Sequence, residues 1–207
     1  MKQSIGVVLM AALLSACSGG KIKEEMPKYT VLEKQDAIEL RSYPSLLVAE
    51  VTMQGKTRDD IANKSFWVLA DFIFGENVTQ ESIAMTTPVT QTPSSEKIAM
   101  TAPVTQTQQG ENWTTRFMMP SKYTKETLPK PKDSRIRILE TAPVKTVSIT
   151  FSGRWTDSNM MEHQEKLDAF VKARKLKTTG TPSYAFYNDP FTLPWNRRNE
   201  IIYTLVP

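Results

Sequence analysis

The sequence predicts an α+β domain: a distorted antiparallel β-barrel of two pseudo-symmetric strand-strand-helix-strand-strand halves, with one long helix per half. Three observations carry this prediction. Short runs with period-two alternation recur along the chain, as strands with one buried face require. Two longer runs carry apolar stripes at helical spacing, each suited to lie across a sheet. The prolines and glycines, thirteen and eight in number, fall mostly between these runs and punctuate them.

Taken in order, residues 29–33 and 38–43 flank Lys34-Gln35-Asp36-Ala37 as a hairpin, which Pro44 ends. Residues 46–53 are a Leu- and Val-rich strand closed by Gly55. The first helix opens at Thr57, with Asp60 in a capping-box-like position. Its stripe is Ala62, Phe66, Leu69 and Ile73, widened by Trp67, Ala70 and Phe74, and Gly75 is the C-cap candidate. Residues 113–119 form a strand, and residues 121–131 a Lys- and Pro-bearing connection. In residues 135–140, Ile136 and Ile138 alternate with Arg135 and Arg137. Residues 144–152 place Val147, Ile149 and Phe151 on one face. The second helix begins near Ser158 or Asn159, with Glu162 completing a cap-like pattern, and runs to about Arg174. Its stripe is Met160, Leu167, Phe170 and Val171, and basic residues at its end suit the macrodipole. Residues 184–187 and 201–206 are the last strands, joined by a long turn holding Pro190 and Pro194.

One segment is written twice. IAMTTPVTQT occupies residues 83–92 and IAMTAPVTQT residues 98–107, differing only at Thr87 and Ala102. Alternation puts Ile83, Met85 and Val89 on one face, and Ile98, Met100 and Val104 likewise. Pro88 and Pro103 belong at an edge, a strand end or a bulge. The simplest expectation is two short extended segments, paired as a hairpin across the turn-like linker.

The chain has 207 residues, 40% hydrophobic and 23% charged, which suits one domain with a real core. Its net charge of +4 is spread out, with no run of five like charges, which argues against a nucleic-acid surface. The single cysteine is Cys17. Lys2 followed by the apolar residues 5–14 reads as a signal peptide, since about 20 apolar residues are needed to span a bilayer. Leu14-Ser15-Ala16-Cys17 resembles the bacterial lipobox. That resemblance implies cleavage before Cys17, diacylation of its thiol and acylation of its new amino group, and two or more acyl chains anchor stably. Ser18 after it points to the outer membrane, on the periplasmic side. The alternative is an ordinary signal with a free thiol. The expected organisation is a signal peptide over 1–16, a lipidated tether over 17–28 and a single domain over 29–207, monomeric.

Larger segments carry a family resemblance. These are YTVLEKQDAIELRSYPSLLVAEV at 29–51, FIFG at 72–75, the doubled IAMTxPVTQ, and YNDPFTLPWNRRNEIIYTLV at 187–206. In this order they resemble the SOUL heme-binding protein family over almost all of the chain after the signal. The resemblance implies a distorted barrel of two related halves, similar also to effector-binding domains of multidrug-responsive bacterial regulators. It implies heme or another tetrapyrrole as a non-covalent ligand. Within the family, some members are thought to use a histidine ligand and others an apolar cleft.

Residues that could meet such a ligand are few. His163, the single histidine, lies on or beside the second helix's stripe. It reads as a helix-flank residue, or less readily as an axial iron ligand. Met85 and Met100, with Val89 and Val104, form either core or a pliable apolar wall. Trp67, Trp155 and Trp195 read as core or rim more than as stacking platforms. Arg197 and Arg198 either fork onto ligand carboxylates or, with Glu200, make salt bridges that fix the closing strand. No structural metal is expected. The sequence lacks HExxH, G-x-S-x-G, P-loop and GxGxxG motifs, and a non-enzymatic binding module is expected. The alternatives are an envelope interaction or structural module without heme, and an enzyme acting on a bound small molecule.

Overall fold

In the computed structural model of the protein, the described residues are 24–80, 95–189 and 191–206. The chain forms β1 (Thr30–Gln35), β2 (Ile38–Tyr43), β3 (Leu47–Gln54), α1 (Arg58–Phe74), β4 (Asn77–Val78), β5 (Val104–Gln109) and β6 (Asn112–Met118). It continues with β7 (Lys130–Pro131), β8 (Arg137–Glu140), β9 (Val144–Phe151), α2 (Asp157–Ala173), β10 (Ser183–Phe186) and β11 (Asn199–Thr204). Nine strands make one antiparallel sheet in the order β1-β2-β9-β11-β10-β5-β6-β3-β8, while β4 and β7 pair separately. The predicted α+β class holds, with one refinement. The sheet curls into a half-barrel and stays open, because its edges β1 and β8 do not pair with each other. The sequence halves also interleave: β2 of the first pairs with β9 of the second, and β8 of the second pairs with β3 of the first.

Register assigns the faces. Ala49 and Val51 oppose Phe117 and Thr115, and these residues look towards α1. Val104 opposes Phe117 on one side and Phe186 on the other, and Phe186 opposes Asn199, which opposes Phe151. One face therefore runs continuously from the α1 core to the α2 core. The first core joins Leu69, Phe72 and Ile73 of α1 to Ala49, Val51 and Phe117. The second joins Met160 and Leu167 of α2 to Val147, Ile149, Phe151 and Ile201. Burying each such large side chain contributes about 1.5–3 kcal/mol.

The helix phases differ in detail from the sequence reading. The buried side of α1 is Ile61, Ser65, Leu69, Ala70, Phe72 and Ile73, and Trp67 is 56% exposed. Ser65 is tolerated there because its hydroxyl meets Thr115 Oγ1 at 2.7 Å and donates to Ile61 O at 2.8 Å. Leu69, Ala70 and Ile73 of the predicted stripe are buried, whereas in the first half Ile61 and Ser65 take the place of Ala62 and Phe66, and Phe74, like Trp67, is exposed. For α2 the N-cap is Thr156, whose side chain accepts from the Asn159 amide. The Asn159 side chain does other work, its Nδ2 donating to Ser152 O and Arg154 O at 3.1 and 2.9 Å. Gly153 is required beside it: its φ is +108°, and an added Cβ would lie 2.7 Å from Asn159 Nδ2. Gly153→Ala should cost about 2 kcal/mol from the backbone conformation alone, to be checked by denaturant unfolding.

The second copy of the repeat is divided by function. Ile98 is buried in the α1 core, its N–H donating to Ile73 O at 2.8 Å. Lys97 and Ala99 are exposed, so alternation holds as far as Met100. A cis Ala102–Pro103 bond follows, and Val104 begins β5. Both neighbours of β5 are taken, by β6 and β10, so a hairpin between the copies is not built through it. The first copy lies outside the described residues. The polar stretch read as a tether joins the domain before Tyr29. Glu25 O accepts from Ala102 N at 3.0 Å, and its carboxylate accepts from Ser121 N at 3.1 Å.

Candidate functional site

The middle of the sheet lies between the helices. α1 packs over β3 and β6, and α2 over β9 and β11, which leaves β5 and β10 between them as the floor of a candidate groove. On the helix-bearing face this floor presents Val104 and Gln106 of β5 against Phe186 and Tyr184 of β10. Phe66, Tyr184, Phe186 and Trp155 are all half-buried. Phe66 packs on Phe117 with centroids 5.4 Å apart, and Trp155 packs on Phe186 at 5.1 Å. The Trp155 ring is fixed because its Nε1 donates to Asn199 Oδ1 at 2.6 Å. Tyr184 donates its hydroxyl to Gln164 Oε1 of α2 at 2.9 Å. Burial raises this phenol above its ordinary range, so it remains a donor at neutral pH.

Two arginines sit at the Trp155 end. The Arg58 guanidinium, in the first turn of α1, lies 5.5 Å from the Phe186 centroid and donates to Trp155 O at 2.8 Å. The Arg197 guanidinium lies 4.7 Å from the Trp155 centroid, and its Nε donates to Thr192 O at 2.7 Å. Each cation is thus stacked on a ring and held by a backbone carbonyl, which orients it with little entropy left to lose. Half-buried rings suit a flat apolar body, and oriented guanidiniums suit carboxylates at its rim.

The sequence-selected residues fall in different places. Arg197 and Val104 belong to the groove. Arg198 does not: its Nε and Nη2 both donate to Glu200 Oε1, at 3.0 and 2.6 Å. Met100 packs against the α1 core, and Trp67 stands on the outer side of α1, edge-on to Phe66 at 5.6 Å. His163 has Nδ1 2.8 Å from Asn159 O, and its ring stacks on Phe151 of β9 at 4.2 Å. That is the β9 flank of α2, whereas Gln164 on Tyr184 of β10 marks the groove flank. Cys17, Met85 and Val89 lie outside the described residues. Arg58, Tyr184 and Phe186 escaped the sequence reading because their partners are remote in the chain. No group of three or more His, Cys, Asp or Glu able to hold a metal occurs among the described residues.

The opposite face of the sheet carries a buried ion cluster. Glu200 is fully buried and accepts from Arg41 Nη1 and Nη2 at 2.7 and 3.0 Å. It also accepts from Tyr187 OH at 3.0 Å and Thr150 Oγ1 at 3.1 Å, besides Arg198. Desolvation pushes the Glu200 carboxyl up, but the hydrogen bonds and charges of Arg41 and Arg198 outweigh it and hold it below the ordinary range. A separate cavity of about 300 Å³ lies beside α1 between Phe72, Ile136 and the charged Asp71, Glu76, Lys132 and Arg135, near the lower size limit for ligand pockets. No helix among the described residues is long and apolar enough to cross a membrane.

No curated protein matches the sequence. Several solved structures share the fold. The EcmrR C-terminal domain is 11% identical with a TM-score of 0.57, covering 86% of this chain and 98% of that one. A hydrolase from Listeria innocua is 12% identical with a TM-score of 0.57, covering 84% and 94%. An uncharacterized conserved protein from Listeria innocua is 12% identical with a TM-score of 0.53, covering 89% and 94%. At these identities the likeness is one of fold. The family comparison is more specific: the SOUL heme-binding protein family matches residues 24–204, nearly the whole described chain. By that match, the chain belongs to the SOUL heme-binding protein family.

Proposed function

We propose that this protein binds heme or a related tetrapyrrole without a covalent bond, in the groove between α1 and α2. We also propose that it does so as a lipoprotein anchored through Cys17 in the bacterial envelope, at the periplasmic side of the outer membrane. The observation that carries the ligand reading is the pair of arginines stacked at one end of a half-buried aromatic floor. A tetrapyrrole is flat, largely apolar and carries carboxylates on one edge. Its ring would lie on Val104, Phe186 and Tyr184, and its carboxylates would meet Arg58 and Arg197. When bound, heme would supply its own iron chemistry. The chain's part is to orient the ring and shield one side from water. His163 lies on the other flank of α2 and takes no part.

Titration of the chain from Ser18 onward with hemin and with protoporphyrin tests this. The expected results are a saturable one-site Soret shift with hemin, an equal stoichiometry with metal-free protoporphyrin, and an unchanged spectrum in His163→Ala. Absence of binding at micromolar ligand would refute the proposal. Turnover of the bound ligand would move the protein into the class of enzymes.

A further inference from the structure

The turn between β10 and β11 exposes an apolar surface that the described residues leave uncovered. Phe191 is 94% exposed, Trp195 69% and Leu193 51%. These side chains do not stand on loose chain. Asp189 Oδ1 accepts from the amides of Phe191 and Thr192 at 2.7 and 2.9 Å, and its other oxygen accepts from the Thr192 hydroxyl. Asn196 N donates to Leu193 O at 2.9 Å, and Gly153 N donates to Pro194 O at 2.9 Å. The base of the turn is closed by Arg198 N donating to Asn188 Oδ1 at 2.7 Å. A turn held at so many points cannot fold its apolar tips back into the core. It presents them permanently to whatever lies outside.

The start of the described chain lies at the same place. Met26 Sδ is 3.9 Å from Arg198 Nη1, and Tyr29 OH is 3.3 Å from Arg198 Nη2, the residue that closes the turn. The Glu24 carboxyl is raised by burial and by the charge of Asp189, the residue that caps the turn. From Glu24 back to Cys17 is seven residues, which reach about 25 Å even when fully extended. An acyl anchor at Cys17 therefore holds this end of the sheet within a short distance of the bilayer. Phenylalanine, leucine and tryptophan are side chains that settle at the boundary between headgroups and acyl chains.

We propose that Phe191, Leu193 and Trp195 form a second membrane contact, inserting into the bilayer interface beside the lipidated N-terminus. The inference rests on the lipidation of Cys17. It fixes orientation as well as attachment. Arg197, bonded to Thr192 O of the turn, also stacks on Trp155 in the groove, so the arginine end of the groove faces the membrane surface. A hydrophobic ligand could then pass between bilayer and groove without crossing water.

The test uses the lipidated full-length protein reconstituted in phosphatidylethanolamine/phosphatidylglycerol vesicles. Cys17 is the one native cysteine and its thiol is blocked by the lipid, so an introduced cysteine takes a nitroxide label uniquely. Phe191→Cys is compared with Glu111→Cys. Glu111 is exposed in the β5–β6 turn, at the opposite end of the sheet, because Val104 pairs with Phe186 while Thr107 pairs with Ser183. Power-saturation measurements should show the Phe191 label reached by oxygen and shielded from a water-soluble nickel chelate, with a several-fold lower nickel accessibility than the Glu111 label. Equal accessibility on protein that floats with the vesicles overturns the second contact and leaves the anchor standing. Protein that does not float shows that the anchor itself is wrong, and this inference falls with it.

Discussion

Arg41→Met should destabilise the protein by about 3–5 kcal/mol, because it leaves the Glu200 carboxylate buried without its principal partner. Arg41 is 1% exposed and Glu200 fully buried, and two parallel hydrogen bonds join β2 to β11 across the intervening β9. Arg198 remains, but it is partly open to solvent and cannot replace the bidentate geometry. In thermal unfolding the change amounts to about 10 °C for a domain of this size. The acid limb of stability should change with it. The Glu200 carboxyl is held below its unfolded value, so its contribution is full above the ordinary carboxylate range and is lost as pH falls through the lower folded value. Without Arg41, desolvation dominates, the carboxyl titrates higher, and stability should begin to fall at a higher pH than in the parent. The double variant Arg41→Met, Glu200→Leu should recover most of the loss, since an apolar pair removes the unpaired charge. A double variant as unstable as the single one would show that the cluster acts through packing alone.

The same cluster shows what a sequence can and cannot disclose. Val147, Ile149 and Phe151 announce a strand by alternation, and they do face α2. Thr146 and Ser148 alternate with them and are polar, yet both are buried. Polar residues disclose a face, not its cover, and the cover here comes from residues far away in the chain. The salt-bridge reading of Arg197, Arg198 and Glu200 fits Arg198 and Glu200, because they are neighbours on one strand end. It could not include Arg41, which is 159 residues away from Glu200. Helix α1 shows another limit. Apolar spacing located it to within a residue at its ends and found Leu69, Ala70 and Ile73, but it passed over Ser65, which is buried against Thr115 in a hydroxyl pair that no periodicity contains. The groove is less legible still. Its rings belong to α1, β10 and the segment before α2, and only the antiparallel pairing of β5 with β10 brings them together. Arg197 was visible because the RRNE motif drew attention to it. Arg58 looked like any basic residue in a first helical turn, where the macrodipole gives it no reason to be.

That placement of Arg58 leads to the second large effect. A cation at a helix N-terminus opposes the macrodipole, and this one is also largely removed from solvent, at 12% side-chain exposure. Asp157 Oδ1 lies 4.0 Å from its guanidinium, but that carboxylate is 91% exposed, and a ligand carboxylate in the groove would add a less solvated anion. Arg58→Gln with Arg197→Gln should therefore weaken protoporphyrin binding by a hundredfold or more, since each charged hydrogen bond contributes about 1.5–3 kcal/mol. Both guanidiniums touch Trp155 and would hold the same ligand, so their effects should be coupled and not simply additive. The lysine versions of both should recover part of the affinity, because they keep the charge and lose the planar fork. The dimethyl ester of protoporphyrin separates charge from shape: it keeps the ring and lacks the carboxylates, so its affinity should be nearly the same for parent and variant. If the ester binds the parent as tightly as the free acid does, the arginines are not carboxylate partners, and the groove selects by the aromatic floor alone. If the glutamine variant loses the ester as completely as the acid, the substitutions have disturbed Trp155 and Phe186, and the stacked rings rather than the cations form the determinant of binding.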